Sequence, residues 1–146
     1  MDNIRENVRQ LMIAISKLEK TYAARSSKLG SQSSELWLMY ALDDGEPHSQ
    51  KQICDEWGFP KTTLNFITKK CEAVGYLTLV PIPGKRREMQ ICLTESGKAY
   101  AKQLLELIYQ AESKAMKETL KQYSSEFIDA VKYYNKCLDE EFNKEA

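Results

Sequence analysis

The tripeptide Gly58-Phe59-Pro60 most limits what this chain can fold into. Ahead of it, Ser49 with Gln52 three residues later has the spacing of a capping box, in which side chains satisfy orphan backbone donors at a helix start. The helix opened there carries Ile53 and Trp57 four residues apart, on one apolar side. Gly58 suits a left-handed helix terminus, and Pro60 suits the first turn of a new helix, where a missing N–H costs nothing. Two short helices with so little chain between them must cross steeply, which is the geometry of a helix-turn-helix.

The second of these helices is expected from about Pro60 to Val74. At ~100° per residue, Leu64, Ile67, Cys71 and Val74 share one side and form its core face, while Thr62, Asn65, Phe66 and Lys69 fall opposite. Thr and Asn can hydrogen-bond base edges, Lys can reach guanine or phosphate, and Phe can lie against a thymine methyl. Lys61 and Lys70 join these as candidate DNA contacts on the same helix. Gly75 closes it, and Tyr76-Leu77-Thr78-Leu79-Val80 is a β-prone run. After Pro81-Ile82-Pro83-Gly84 and Lys85-Arg86-Arg87, the residues Met89, Ile91 and Leu93 alternate as a half-buried strand does. The hairpin therefore carries its cations, Lys85, Arg86 and Arg87, at the tip. From Lys61 to Arg87 there are six cations (Lys61, Lys69, Lys70, Lys85, Arg86, Arg87) against one anion, Glu72, although the whole chain has 21 of each sign. Local charge is what a phosphate backbone senses, so the module reads as a winged helix-turn-helix for duplex DNA.

At these residues the sequence resembles the multiple-antibiotic-resistance regulator (MarR) family of bacterial winged-helix repressors. The resemblance takes in an N-terminal helix, the Ser-Ser-Glu-Leu-Trp-Leu-Met-Tyr-Ala-Leu segment, residues 49–59, 60–76, the wing, and Leu93-Thr94-Glu95-Ser96-Gly97 at the head of a long helix. In the family an Asp-x-Arg at the wing tip precedes that Leu-Thr, and its arginine enters the minor groove. Arg87 stands at the arginine position here, and Lys85 replaces the aspartate. The resemblance implies a mainly α fold with a small β wing, repression, and a small-molecule effector or other signal that changes the spacing of two reading helices, which in a homodimer would meet an inverted-repeat operator. Relatives that sense oxidants do so through a cysteine in the first helix, which has none here.

The flanking segments fit a dimer. At 146 residues and 42% hydrophobic, the chain is expected to make one domain over 1–146, with a reading lobe at 32–97 and dimerisation helices at 1–28 and 118–146. Ile4, Val8, Leu11, Ile15, Leu18 and Tyr22 make a narrow apolar stripe along the first helix. Ser26 to Ser34 reads as a connector, with Ser33 or Ser34 capping a helix that holds Leu36, Trp37, Met39, Tyr40 and Leu42. A short strand near Pro47 and His48 is expected to lie beside the wing. Thr94 caps the long helix, whose apolar positions are Tyr100, Leu104, Leu107, Ile108, Ala111, Ala115 and Leu120. Ser124 or Ser125 caps the last, where Phe127, Val131, Tyr134, Leu138 and Phe142 step by four and three above an acidic outer face.

Other chemistry is poorly supplied. No apolar run approaches the ~20 residues of a membrane span, and MDNIRENVRQ lacks a signal-peptide pattern, so a cytoplasmic protein is expected. Cys54, Cys71, Cys92 and Cys137 lie far apart without a C-x-x-C, which fits reduced thiols, and Cys71 and Cys92 read as small buried hydrophobes. His48, the one histidine, reads as a turn residue without catalytic or metal role. Neither a nucleophile elbow nor a phosphate-cradling glycine loop nor metal-spaced carboxylates appear, so neither an enzyme nor a cofactor is expected. Tyr22, Tyr40, Tyr100, Tyr109 and Trp37 are open to two readings, as core or as the lining of an effector pocket that the resemblance implies. The competing function is a winged-helix module that docks an acidic protein partner with the same cationic face.

Overall fold

A computed structural model describes residues 2–144 of the chain. Two compact units divide it, residues 1–105 and residues 106–146.

The first unit begins with α1 (Asn3–Lys28), capped by Asp2, whose carboxylate accepts from the Arg5 N–H at 2.7 Å. This helix runs into the stretch expected to be a connector. Ser26 is buried, and its hydroxyl donates to the Ser31 carbonyl at 2.8 Å, so the serine-rich turn folds back onto the helix end. That turn delivers Gln32 as the residue flanking α2 (Ser33–Leu42), where the Leu36 N–H donates to the Gln32 carbonyl at 3.0 Å. Neither Ser33 nor Ser34 is the cap, because both already lie inside the helix.

Helix α2 supplies the centre of the core. Leu36, Leu38, Met39, Ala41 and Leu42 are all buried, which leaves this helix apolar nearly all round, as a helix enclosed on most sides must be. Its Trp37 and Tyr40 pack between Tyr22 of α1 and Trp57 of α3 (Gln50–Trp57), with ring centroids 4.7 to 6.0 Å apart. Such tilted and edge-on pairs are the arrangements that aromatic quadrupoles favour.

The sheet has three antiparallel strands in the order β1 (His48–Ser49), β3 (Met89–Leu93), β2 (Leu77–Pro81). His48 pairs with Ile91 and Ser49 with Gln90, which gives the third ribbon expected near Pro47 and His48. His48 is thus a strand residue, and its Nε2 lies 2.8 Å from an Asp44 carboxylate oxygen. On β3 the burial peaks at Ile91, with Met89 and Leu93 half-buried beside it.

Helix α4 (Lys61–Val74) starts one residue after Pro60, which is its extended flanking residue. Leu64, Ile67 and Cys71 are buried as expected, but Val74 is 59% exposed. It lies in the last turn, beyond the reach of α2, and the fully buried Thr68 takes the remaining core position. Gly75 (φ 94°) then ends the helix in a Schellman arrangement: the Tyr76 N–H donates to the Cys71 carbonyl at 2.9 Å and the Gly75 N–H to the Glu72 carbonyl at 3.0 Å.

Helix α5 (Glu95–Gln122) opens in the first unit and continues in the second. In the first unit Ala101, Leu104 and Leu105 are buried. In the second, Leu107 and Leu120 are exposed although both fall on the expected apolar face. A corner at Ser124, whose hydroxyl accepts from the Glu126 N–H at 3.1 Å, leads to α6 (Glu126–Lys144). No described residue of α6 is buried: Phe127, Val131 and Phe142 are exposed, and Tyr134 and Leu138 are half-buried. No helix among the described residues is long and apolar enough to cross a membrane.

Candidate nucleic-acid interface

The helix-turn-helix is built from local signals. Ser49 Oγ accepts from the Gln52 N–H at 3.0 Å, one half of the capping box. The other half is absent, because the Gln52 side chain reaches along the helix and donates to Glu56 at 3.1 Å. Gly58 is left-handed at φ 69° and ends α3. With Leu64, Ile67, Thr68 and Cys71 turned inward, Thr62, Phe66 and Lys69 are turned out and exposed, Phe66 at 65%. Lys61 and Lys70 are exposed on the flanks of that face. Asn65 differs from these: it is half-buried, and its Oδ1 accepts from Gln50 Nε2 at 3.3 Å.

The wing follows from the register of β2 on β3, which runs from Leu77 opposite Leu93 to Pro81 opposite Met89. Beyond the last pair the Ile82 N–H donates to the Glu88 carbonyl at 3.1 Å, and the Lys85 N–H donates to the Ile82 carbonyl at 3.1 Å. Those two bonds close the tip around Gly84, whose φ of 78° lies in the left-handed region that glycine adopts most readily. Lys85, Arg86 and Arg87 are all exposed there. Lys85 Nζ lies 3.9 Å from Glu88, a pair open enough to water to hold weakly, and neither arginine is ion-paired among the described residues.

Because Ser49 is bonded to β3, the start of α3 is brought to the base of the wing. A cleft of about 520 Å³ results, bordered by Lys51, Asp55, Lys61, Asn65, Arg87 and Glu88 among others. Of the residues expected to contact DNA, it brings together Lys61, Asn65 and Arg87; Thr62, Phe66, Lys69, Lys70, Lys85 and Arg86 lie outside its lining. Gln50, Lys51, Asp55 and Glu88 are members that sequence reasoning did not single out. Glu88 restores a carboxylate near Arg87, one residue after it where the resembled family has one two residues before.

The family model described as MarR family matches residues 29–88, a span that holds α2, the helix-turn-helix and the wing tip. Over this span the chain is similar to the MarR family. The MarR fold extends further than the matched span. The MarR family regulator NMB1585 from Neisseria meningitidis superposes with a TM-score of 0.84 at 19% identity, covering 96% of this chain and 99% of that one. The transcriptional regulator BldR from Sulfolobus solfataricus gives 0.67 at 21% identity, covering 96% and 99%. NadR in complex with 4-hydroxyphenylacetate gives 0.67 at 14% identity, covering 94% and 93%. No curated protein matches the chain by sequence.

The Leu-Thr-x-x-Gly that follows the wing has a clear physical basis here. Thr94 Oγ1 accepts from the Gly97 N–H at 3.0 Å, capping α5, and donates to the Gly75 carbonyl at 2.6 Å. Ser96 Oγ donates to the same carbonyl at 2.9 Å, and the Thr94 N–H donates to the Tyr76 carbonyl at 3.0 Å. The start of α5 is thus clamped to the end of α4, and a Cβ at Gly97 would drive into the Tyr76 carbonyl oxygen.

The remaining candidates separate. Burial, with Glu35 second, pushes the Cys71 thiol up to about 11, so it stays protonated and unreactive near neutrality. Cys54, Cys92 and Cys137 are half-buried and free; Cys92 is less buried than its alternation with core residues implied. Tyr22, Tyr40 and Trp37 form one aromatic cluster, whereas Tyr100 stacks on Tyr76 at 4.3 Å and donates its hydroxyl to Glu35 at 2.9 Å. Burial, followed by that bond to Glu35, pushes Tyr100 up to about 12. Among the described residues no three His, Cys, Asp or Glu side chains come close enough to hold a metal ion.

Proposed function

We propose that this protein is a cytoplasmic transcriptional regulator that binds duplex DNA as a homodimer on an inverted-repeat operator and represses from it. The observation that carries the reading is the junction of α4 with the wing. Lys61 and Asn65 of α4 and Arg87 of the wing line one cleft, and beside it Thr62, Phe66 and Lys69 of the helix and Lys85 and Arg86 of the wing are exposed. In this reading Thr62, Asn65, Phe66 and Lys69 meet base edges in the major groove, Lys61 and Lys70 meet phosphate, and Arg87 with Lys85 and Arg86 grips the minor groove. A small ligand tunes the affinity; the complex of NadR with 4-hydroxyphenylacetate supports this, as one relative of the same fold is a small-acid binder.

Selection of bound fragments from random duplexes tests it. The expected result is an enriched inverted repeat whose affinity falls steeply with salt, as phosphate neutralisation requires. Failure to enrich any sequence, together with salt-dependent capture of acidic proteins by the same face, would overturn the reading.

A further inference from the structure

The carboxamide of Asn65 is held by a residue outside its own helix. Gln50, the first residue of α3, donates through Nε2 to Asn65 Oδ1 at 3.3 Å, in a part-buried bond at the wall of the cleft. Gln50 follows Ser49, which is held both by its pairing with Gln90 on β3 and by its capping bond to α3. An Asn side chain has one acceptor oxygen and one two-donor nitrogen. With the oxygen turned to Gln50, the nitrogen is the atom left to face a ligand.

We propose that Gln50 is a positioning residue that sets base specificity by aiming the NH2 group of Asn65, and not its oxygen, into the major groove. The proposal rests on the reading of α4 as a base-contacting helix. Guanine offers the acceptors O6 and N7 in that groove, thymine offers O4, and cytosine offers an N4–H donor. A donor-presenting Asn65 selects guanine or thymine at its base and rejects cytosine. Adenine is ordinarily read by both atoms of an Asn amide at once, and here the oxygen half of that pair is engaged by Gln50.

Gln50→Glu inverts the geometry. A carboxylate cannot donate to Oδ1, but it accepts from the NH2 group, so the amide turns over and presents its oxygen. Gln50→Ala leaves the amide free to turn. Random-duplex selection at one salt concentration would be run on the full chain as wild type, Gln50→Glu, Gln50→Ala and Asn65→Ala, each first shown to melt cooperatively. We expect one half-site base pair that wild type selects and Asn65→Ala relaxes, its guanine or thymine lying on the strand that Asn65 faces. Gln50→Glu moves that position toward cytosine or adenine by ~5-fold or more in ratio, on the scale of one base contact. Gln50→Ala gains adenine there and nowhere else. The added negative charge of Gln50→Glu weakens all duplexes alike, so the ratio between bases, and not affinity, is the readout; loss of a merely structural bond would leave that ratio unmoved.

Three results would overturn the proposal. Gln50→Glu that keeps the wild-type base pair while Asn65→Ala relaxes it leaves Asn65 as a reader that Gln50 does not aim. If instead Asn65→Ala leaves an otherwise sharp consensus intact, base reading by Asn65 itself fails; enrichment of no sequence by wild type would mean that the underlying reading of the helix fails too.

Discussion

Gly97 lies in the first turn of α5, with ordinary helical backbone, so conformational freedom does not account for it. The cause is the Tyr76 carbonyl, which occupies the space a Cβ would need and is fixed there by the N–H of Thr94. Gly97→Ala must therefore push α5 off the α4–β2 corner, a backbone movement that no rotamer change relieves. We expect urea unfolding to show a loss of about 2 kcal/mol or more, the scale of overpacking in a dense interior. A variant of wild-type stability would show that the corner yields. Asp44 gives a second test at this scale. Its hydrogen bond to His48, with a further bond from the Glu46 N–H, holds its carboxyl below the ordinary 3.8. A carboxylate with a lowered folded value stabilises the fold above its unfolded value and loses that contribution as pH falls through the folded one. Asp44→Asn should then be less stable than wild type at pH 6, and the two unfolding curves should converge as pH falls below 3.8. A gap that persists in acid would assign the effect to something other than the charge. The pair is half open to solvent, so the gap is expected to be small.

At the scale of elements, α3, α4 and the wing were legible because each is written in local signals. Ser49, Gly58, Pro60 and Gly75 mark ends that backbone geometry enforces, and the 3.6-residue period sorts Leu64, Ile67 and Cys71 from Thr62, Phe66 and Lys69. What periodicity could not show is the cleft. It depends on Ser49 bonding to Gln90 across 41 residues of sequence (90 − 49), which carries Gln50 and Lys51 to the wing and half-buries Asn65 against a neighbour. Val74 was misjudged for a related reason: its angle suits the core, but the helix outruns the core by one turn. The wing's own test is Arg87→Ala. Arg87 is exposed and not ion-paired among the described residues, so its removal leaves no buried group stranded and stability should hold. Binding to every site should weaken by about 1 to 3 kcal/mol, with the major-groove consensus unchanged. Equal affinity of the two proteins at moderate salt, measured by fluorescence anisotropy, would remove the wing from the interface.

For the molecule as a whole, the uncovered apolar faces matter most. Along α1 no stripe residue is buried, with Ile4 77% and Leu18 57% exposed, and α6 leaves Phe127, Val131 and Phe142 open to solvent. Exposed apolar surface in such quantity marks an interaction site. A second copy is the partner that also satisfies the reading function, because a two-fold axis sets two recognition helices about one DNA turn apart, ~34 Å, and matches an inverted repeat with half-sites about ten base pairs apart. Leu138 is half-buried on the α6 stripe, between Tyr134 and Phe142. Leu138→Asp puts an unpaired carboxylate into that surface. In the separated chain the charge keeps part of its hydration, whereas in an assembled dimer it would be fully desolvated without a partner, so the substitution costs the dimer more than the fold. Sedimentation of both proteins at micromolar concentration, with far-ultraviolet circular dichroism as the control on folding, gives the answer. Wild type should sediment as a dimer and bind the inverted repeat, while the variant should keep its helical signal, sediment as a monomer and bind single half-sites only weakly. A monomeric wild type would remove the two-fold reading, and a variant that remains dimeric would move the assembly surface away from α6.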